Sequence, residues 1–252
     1  MLVSDPPAPG SGADLSFMGP LSAARADSLV AELSAAEPAT VLDLGSGWAE
    51  LLLRILRTTP GAVGTGVDTF GPDLKRARQR AEQLGVSDRL TLVERPAADV
   101  AAPADLVLNL GAFQAFGTTV DALRELYAHV NSGGRLLFGA EYWVRPPTPG
   151  ELARMWPGIS ADDNTDLAGL VDQAVAAGFR PLHVQTVTEA EWDEFESGLA
   201  VERERWLLTD PDHPEAAAVA AELDKQRALW LRGYRGILGF AYLTLGKPVD
   251  TG

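Results

Sequence analysis

The chain has 252 residues, 46% hydrophobic and 22% charged, which suits one sizeable α/β domain and argues against a disordered chain. The 35 acidic residues outnumber 21 basic ones for a net charge of −14, which argues against nucleic acid and anionic membrane surfaces as partners. The absence of cysteine excludes disulfides and thiolate chemistry, and three scattered histidines (His129, His183, His213) argue against a histidine-built zinc site, so no metal is expected.

Residues 1–16, MLVSDPPAPGSGADLS, have neither a basic n-region nor an apolar stretch and read as a flexible Pro/Gly/Ser leader, not a secretion signal. No apolar run approaches the roughly 20 residues needed to span a bilayer, so a cytoplasmic protein is expected. PLSAARADSLVAELSAA has apolar positions at helical spacing. From Thr40, strand and helix patterns alternate. TVLDL, AVGTGVD, RLTLVE, ADLVLNLG and GRLLFGAEYW read as strands. AELLLRIL, GPDLKRARQRAEQLG and VDALRELYAHV read as helices between them, the second opening on proline and ending at glycine. This alternation predicts a mostly parallel, Rossmann-like sheet with helices on both faces. RPPTPGELARMWPGISADDNTD is rich in turn formers and reads as a long functional loop. A helix DLAGLVDQAVAAGF and a sixth strand PLHVQTVT follow, then about fifty residues of helical pattern, and LGFAYLTLG as a seventh strand. Residues 17–252 therefore read as a single domain, with 189–236 as a helical insertion that caps the mouth of the sheet.

The chemistry concentrates after the first strand, in Asp43-Leu44-Gly45-Ser46-Gly47-Trp48-Ala49-Glu50. A strand running through two glycines into a helix lets a ligand approach the backbone and presents free N–H groups to it. A dinucleotide fingerprint would carry a third glycine where Glu50 stands, and a carboxylate there would repel a diphosphate. Asp43 and Glu50 thus favour a cationic ligand without phosphates. Asp68 closes the second strand, 21 residues after Gly47, where a carboxylate accepts hydrogen bonds from ribose hydroxyls; the alternative is a cap on the next helix.

With these residues the chain resembles class I S-adenosylmethionine-dependent methyltransferases. The Asp43-Leu44-Gly45-Ser46-Gly47 loop, Asp68 and the Asn109-Leu110-Gly111-Ala112-Phe113 turn carry the likeness across about residues 20–188 and the closing strand. Gly19-Pro20-Leu21-Ser22, Gly139-Ala140-Glu141-Tyr142-Trp143, Glu191-Trp192-Asp193-Glu194-Phe195-Glu196 and Leu238-Gly239-Phe240-Ala241 are similar to a bacterial small-molecule subgroup. The resemblance implies a seven-stranded sheet of order 3-2-1-4-5-7-6 with the last strand antiparallel. It implies S-adenosyl-L-methionine as cofactor, bound around Asp43, Gly45, Ser46, Gly47, Glu50, Asp68, Thr69, Ala97, Ala98 and Asn109. One departure is Pro96, which occupies the place of the aspartate that often binds the adenine amino group; either backbone groups or Asp99 take over, or Asp99 is an ordinary surface carboxylate.

Methyl transfer to a small-molecule acceptor then needs chiefly alignment and exclusion of water. Glu141, at the carboxyl end of strand five, is the candidate base or acceptor-orienting group. Phe17, Phe113, Tyr142, Trp143 and Trp192 are candidate walls of the acceptor pocket, with packing of the helical insertion as the alternative for Trp192. Two other readings are a nicotinamide-dependent oxidoreductase, which lacks a Tyr-x-x-x-Lys pair here, and a non-catalytic donor-binding partner protein. Residue patterns leave the acceptor, the methylated atom and the oligomeric state open.

Overall fold

The computed structural model describes residues 5–249; residues 1–4 of the expected leader and 250–252 of the expected domain lie outside them. Seven strands form one sheet: β1 (Thr40–Leu44), β2 (Val63–Asp68), β3 (Leu90–Glu94), β4 (Ala104–Leu110), β5 (Val130–Trp143), β6 (Arg180–Thr186) and β7 (Leu238–Gly246). Their order is β3-β2-β1-β4-β5-β7-β6, as the resemblance implies. β1 pairs in parallel with β2 and β4, whereas β7 runs antiparallel between β5 and β6. β1 and β4 are buried along most of their length, which explains their near-continuous apolar runs.

The helices are α1 (Ala23–Ser34), α2 (Glu50–Thr58), α3 (Gly71–Leu84), α4 (Thr119–His129), α5 (Pro149–Leu152), α6 (Leu167–Ala176), α7 (Glu189–Thr209) and α8 (Ala216–Ala228). α1 is capped by Ser22, whose hydroxyl accepts from the Arg25 amide, and it buries Ala26, Leu29, Val30 and Leu33 at helical spacing. α1, α2 and α3 cover one face through Leu33, Leu52, Ile55 and Ala77 against Val41, Leu106 and Leu108 of the sheet. α4 and α6 cover the other, placing Leu123, Leu126 and Leu170 against Leu42, Val107 and Phe138. Thr188 and Glu191 form a reciprocal capping box that starts α7. A π-helical turn, Leu229–Tyr234, leads from α8 back towards β7.

Part of the expected leader is tied down rather than loose. The Trp48 indole donates to the Ser16 carbonyl at 2.7 Å. Arg76 donates to the carbonyls of Gly12 and Leu15 at 3.1 and 2.7 Å while its guanidinium stacks 3.8 Å above the Trp48 ring. The Ser11 hydroxyl donates to Glu202, and Arg205 pairs with Asp14. The polar composition that suggests mobility therefore supplies carbonyls and hydroxyls that α3 and α7 bind.

Candidate active site

The carboxyl ends of β1, β2 and β4 open into a cavity of about 380 Å³. Its floor is the turn from β1 into α2. The amides of Gly45 and Ser46 both donate to the Val67 carbonyl at 2.9 Å, which bends the chain sharply out of the strand. Gly45 has φ +82°, and a Cβ there would lie 2.3 Å from Cβ of Ala112, so no other residue fits. Ala49 is left-handed at φ 57°, a strained setting for a residue with a side chain, and no side chain caps α2. The first amides of α2 thus face the cavity, whose lining includes Ala49, Glu50 and Leu51.

Among the carboxylates that line this cavity, Asp68, Asp43 and Glu50 differ in their partners. Asp68 accepts from the Gly47 amide at 2.7 Å and from the Phe70 amide at 2.9 Å, so one side chain fixes both the glycine loop and the turn after β2. Each oxygen retains an acceptor site for a ligand hydroxyl. Asp43 is buried near the carboxyl end of β1; burial, then the charge of Asp68, push its carboxyl up to about 8. No hydrogen bond to its carboxylate is found among the described residues, which leaves a buried acid without a compensating cation. Glu50 differs: its oxygens accept from Arg54 Nε at 2.9 Å and from Arg80 Nε at 3.0 Å. Burial alone would raise it, but the two arginines outweigh that and lower it. Its charge is spent in joining α2 to α3, so the repulsion of a diphosphate expected from sequence has no bare carboxylate behind it.

The opposite wall comes from the chain start and the insertion. Phe17, Met18, Gly19, Pro20 and Leu21 line the cavity, with Arg54 stacked 4.9 Å from the Phe17 ring. Trp192 and Phe195 of α7 face them, and Trp192 meets Phe240 of β7 edge-on at 6.4 Å. Glu191 locks this wall: it accepts from Arg25 Nε and an Arg25 terminal nitrogen, both at 2.8 Å, and from the Ser22 hydroxyl at 2.7 Å. At the inner end stands Glu141, paired across the sheet with Phe240. One of its oxygens is buried with no partner, and burial holds its carboxyl above the usual range.

Of the residues singled out from sequence, Asp43, Gly45, Ser46, Gly47, Glu50, Asp68, Glu141, Phe17 and Trp192 meet in this cavity. The others lie elsewhere. Thr69 is exposed beyond β2, Ala97 is in the core, and Ala98 lines a separate surface depression with Phe116 and His129. Asn109 is wholly buried behind the site, donating to the Leu44 carbonyl at 2.9 Å, so it steadies β1. Phe113 lines a second cavity, which meets the first at Glu141. Tyr142 joins Trp192, Trp230 and Tyr234 around a third, and Trp143 packs with Met155, Ile237 and Leu238. Asp99 is exposed and does not line the first cavity. The sequence reading missed Trp48, Asp73 and Tyr242, all in the lining; Trp48 stands inside the glycine loop, and that position was its available signal.

The sheet order, the glycine turn and the acid at the end of β2 define a class I methyltransferase scaffold. A family model described as a methyltransferase domain matches residues 42–136. An Escherichia coli protein, "Uncharacterized protein YjhP", is 34% identical over 186 residues, covering 73% of this chain and 75% of its own. A methyltransferase structure from Geobacter sulfurreducens in complex with S-adenosyl-L-homocysteine superposes with a TM-score of 0.82 at 28% identity, over 91% of this chain and 92% of that one. One from Thiobacillus denitrificans, with the same ligand, gives 0.81 at 26%, over 92% and 94%. The chain belongs to the class I S-adenosylmethionine-dependent methyltransferases. S-adenosyl-L-methionine is accordingly its methyl donor, and the oxidoreductase reading is set aside. A buried acid without a cation, a loop in which a Cβ at Gly45 would clash, and free acceptor sites on Asp68 all fit that group.

Proposed function

We propose that the enzyme methylates a small-molecule acceptor, with the donor held between the glycine loop and the wall built from residues 17–21 and α7. The observation that carries this reading is Glu141, a buried carboxylate with a partnerless oxygen where the donor cavity meets a second one. When bound, the donor supplies an electrophilic methyl group on a sulfonium sulfur. Asp68 would hold the ribose hydroxyls, and the backbone at Gly45, Ser46 and Gly47 lets the donor lie close to β1. Asp43, mostly protonated at neutral pH in the ligand-free site, would ionise beside an α-ammonium group and supply the negative charge it needs. Phe17, Trp192 and Phe240 exclude water, and alignment of the two reactants in such a dry site contributes roughly 7–11 kcal/mol. Glu141 orients the acceptor, or takes its proton if the attacking atom carries one.

Residues 17–252 work as one domain in this account, with 189–236 as the cap over the mouth. The excess of 14 negative charges favours neutral or cationic acceptors and disfavours nucleic acid. No helix among the described residues is long and apolar enough to cross a membrane, in keeping with a cytoplasmic enzyme. The test is turnover, read as S-adenosylhomocysteine released in the presence of an acceptor panel. Glu141→Gln should lower kcat by about 10²-fold or more and leave donor affinity near wild type; full activity in that variant would remove Glu141 from the mechanism.

A further inference from the structure

The second cavity, about 770 Å³, lies between the turn after β4, the 156–165 loop and α6, and among the described residues it shares Glu141 alone with the donor cavity. Its apolar lining is Phe113, Trp156, Ile159, Leu170 and Leu238. Its polar lining carries negative charge but no cation: Gln114, Thr119, Asn164 and Thr165 are neutral, while Glu141, Asp162 and Asp163 are acids. Among the described residues, the buried oxygen of Glu141 and the Gln173 side-chain oxygen both lack a hydrogen-bond partner. Asp162 and Asp163 stand at the rim, and among the described residues no lysine, arginine or histidine lines the cavity. The first turn of α4, which would otherwise favour an anion, already carries Asp121 in a capping box with Thr118. Asp163 likewise accepts from the Ser160 amide, and it and Asp162 are both exposed charges at the rim.

Resting on the reading above, we propose that this cavity is the acceptor chamber and that it selects a flat, apolar molecule carrying a protonated amine. The N–H donors of such a group meet the partnerless oxygens of Glu141 and Gln173, and its body lies along Trp156 and Phe113. A carboxylate or phosphate in its place would face acids with no cation to offset them.

The test uses benzylamine, benzyl alcohol and benzoate as probes, titrated by ligand-observed NMR into the protein saturated with S-adenosylhomocysteine. Benzylamine should bind about tenfold or more tightly than benzoate, with benzyl alcohol between them. Trp156→Ala and Gln173→Ala should each weaken benzylamine by about fivefold, while their S-adenosylhomocysteine affinity, titrated in parallel, reports an intact donor site. Benzoate binding as tightly as benzylamine, no binding by any probe, or indifference to both substitutions would overturn the inference while leaving the methyltransferase reading in place. Failure of wild-type protein to bind S-adenosylhomocysteine would instead strike the reading on which it rests.

Discussion

Replacing Glu191 by glutamine should unhook the chain start from the helical insertion. Glu191 holds Arg25 through two oxygen contacts of 2.8 Å, the Ser22 hydroxyl, and the Thr188 amide at 2.9 Å, and only 8% of its side chain is exposed against 16% of Arg25. Burial alone would raise this carboxyl, yet the bonds from Arg25, Thr188 and Ser22 pull it from the ordinary 4.5 to about 2. At 1.36 kcal/mol per unit that is a ceiling of about 3 kcal/mol, and the glutamine amide keeps part of the network, so we expect a loss of about 2–3 kcal/mol. For a chain of this length the midpoint of thermal unfolding should fall by roughly 5–10 °C. The folded value lies below the unfolded one, so the contribution is complete above about pH 4.5 and is lost as pH falls towards 2. Wild type and variant should therefore converge in acid. Glu151 is the control: Arg145 draws it to about 2 as well, but it sits at the surface with a half-exposed partner, so Glu151→Gln should lower the midpoint by only about 2 °C. Because Ser22 follows directly on the cavity-lining Gly19-Pro20-Leu21, Glu191→Gln should also weaken S-adenosylhomocysteine binding several-fold by calorimetry. A midpoint shift no larger than that of Glu151→Gln, or one that persists undiminished at about pH 2, would refute the reasoning.

Two further substitutions probe the donor acids. Asp68→Ala removes the acceptor of the Gly47 amide as well as the proposed ribose contact, and donor affinity should fall by about tenfold or more in a calorimetric titration; unchanged affinity would end that assignment. Asp43, pushed up to about 8, makes the ligand-free fold lose stability as pH rises from about 4 through about 8, because its ionised form is uncompensated. Asp43→Asn should flatten that decline in denaturant titrations and still bind the donor more weakly; a parallel decline in wild type and variant would show that another group causes it.

Much of this was legible because the relevant patterns are local. The apolar runs of β1 and β4, the glycines at the turn into α2 and the spacing of Asp68 from Gly47 follow from backbone rules that operate over a few residues. LGFAYLTLG matches β7 in its bounds. What escaped reading depends on distant partners. Glu50 reads as a bare charge until Arg54 and Arg80 are seen on neighbouring faces of α2 and α3. The Pro/Gly/Ser stretch reads as loose because its carbonyl partners, Trp48 and Arg76, lie more than thirty residues away. Tyr142 follows Glu141 directly in the strand yet lines a different cavity, because successive residues point to opposite faces, whereas Trp143 at the strand end packs into a core cluster with Met155, Ile237 and Leu238. Asn109 sits at the expected place in sequence but spends its amide on the Leu44 carbonyl.

The most direct measurement is a calorimetric titration of wild-type protein with S-adenosylmethionine, S-adenosylhomocysteine and NADH, repeated on Asp68→Ala. The account predicts micromolar binding of the first two, no binding of NADH, and a loss of affinity in the variant. Binding of NADH alone, or S-adenosylhomocysteine affinity indifferent to Asp68, would contradict the placement of the donor between the glycine loop and the wall that Glu191 locks.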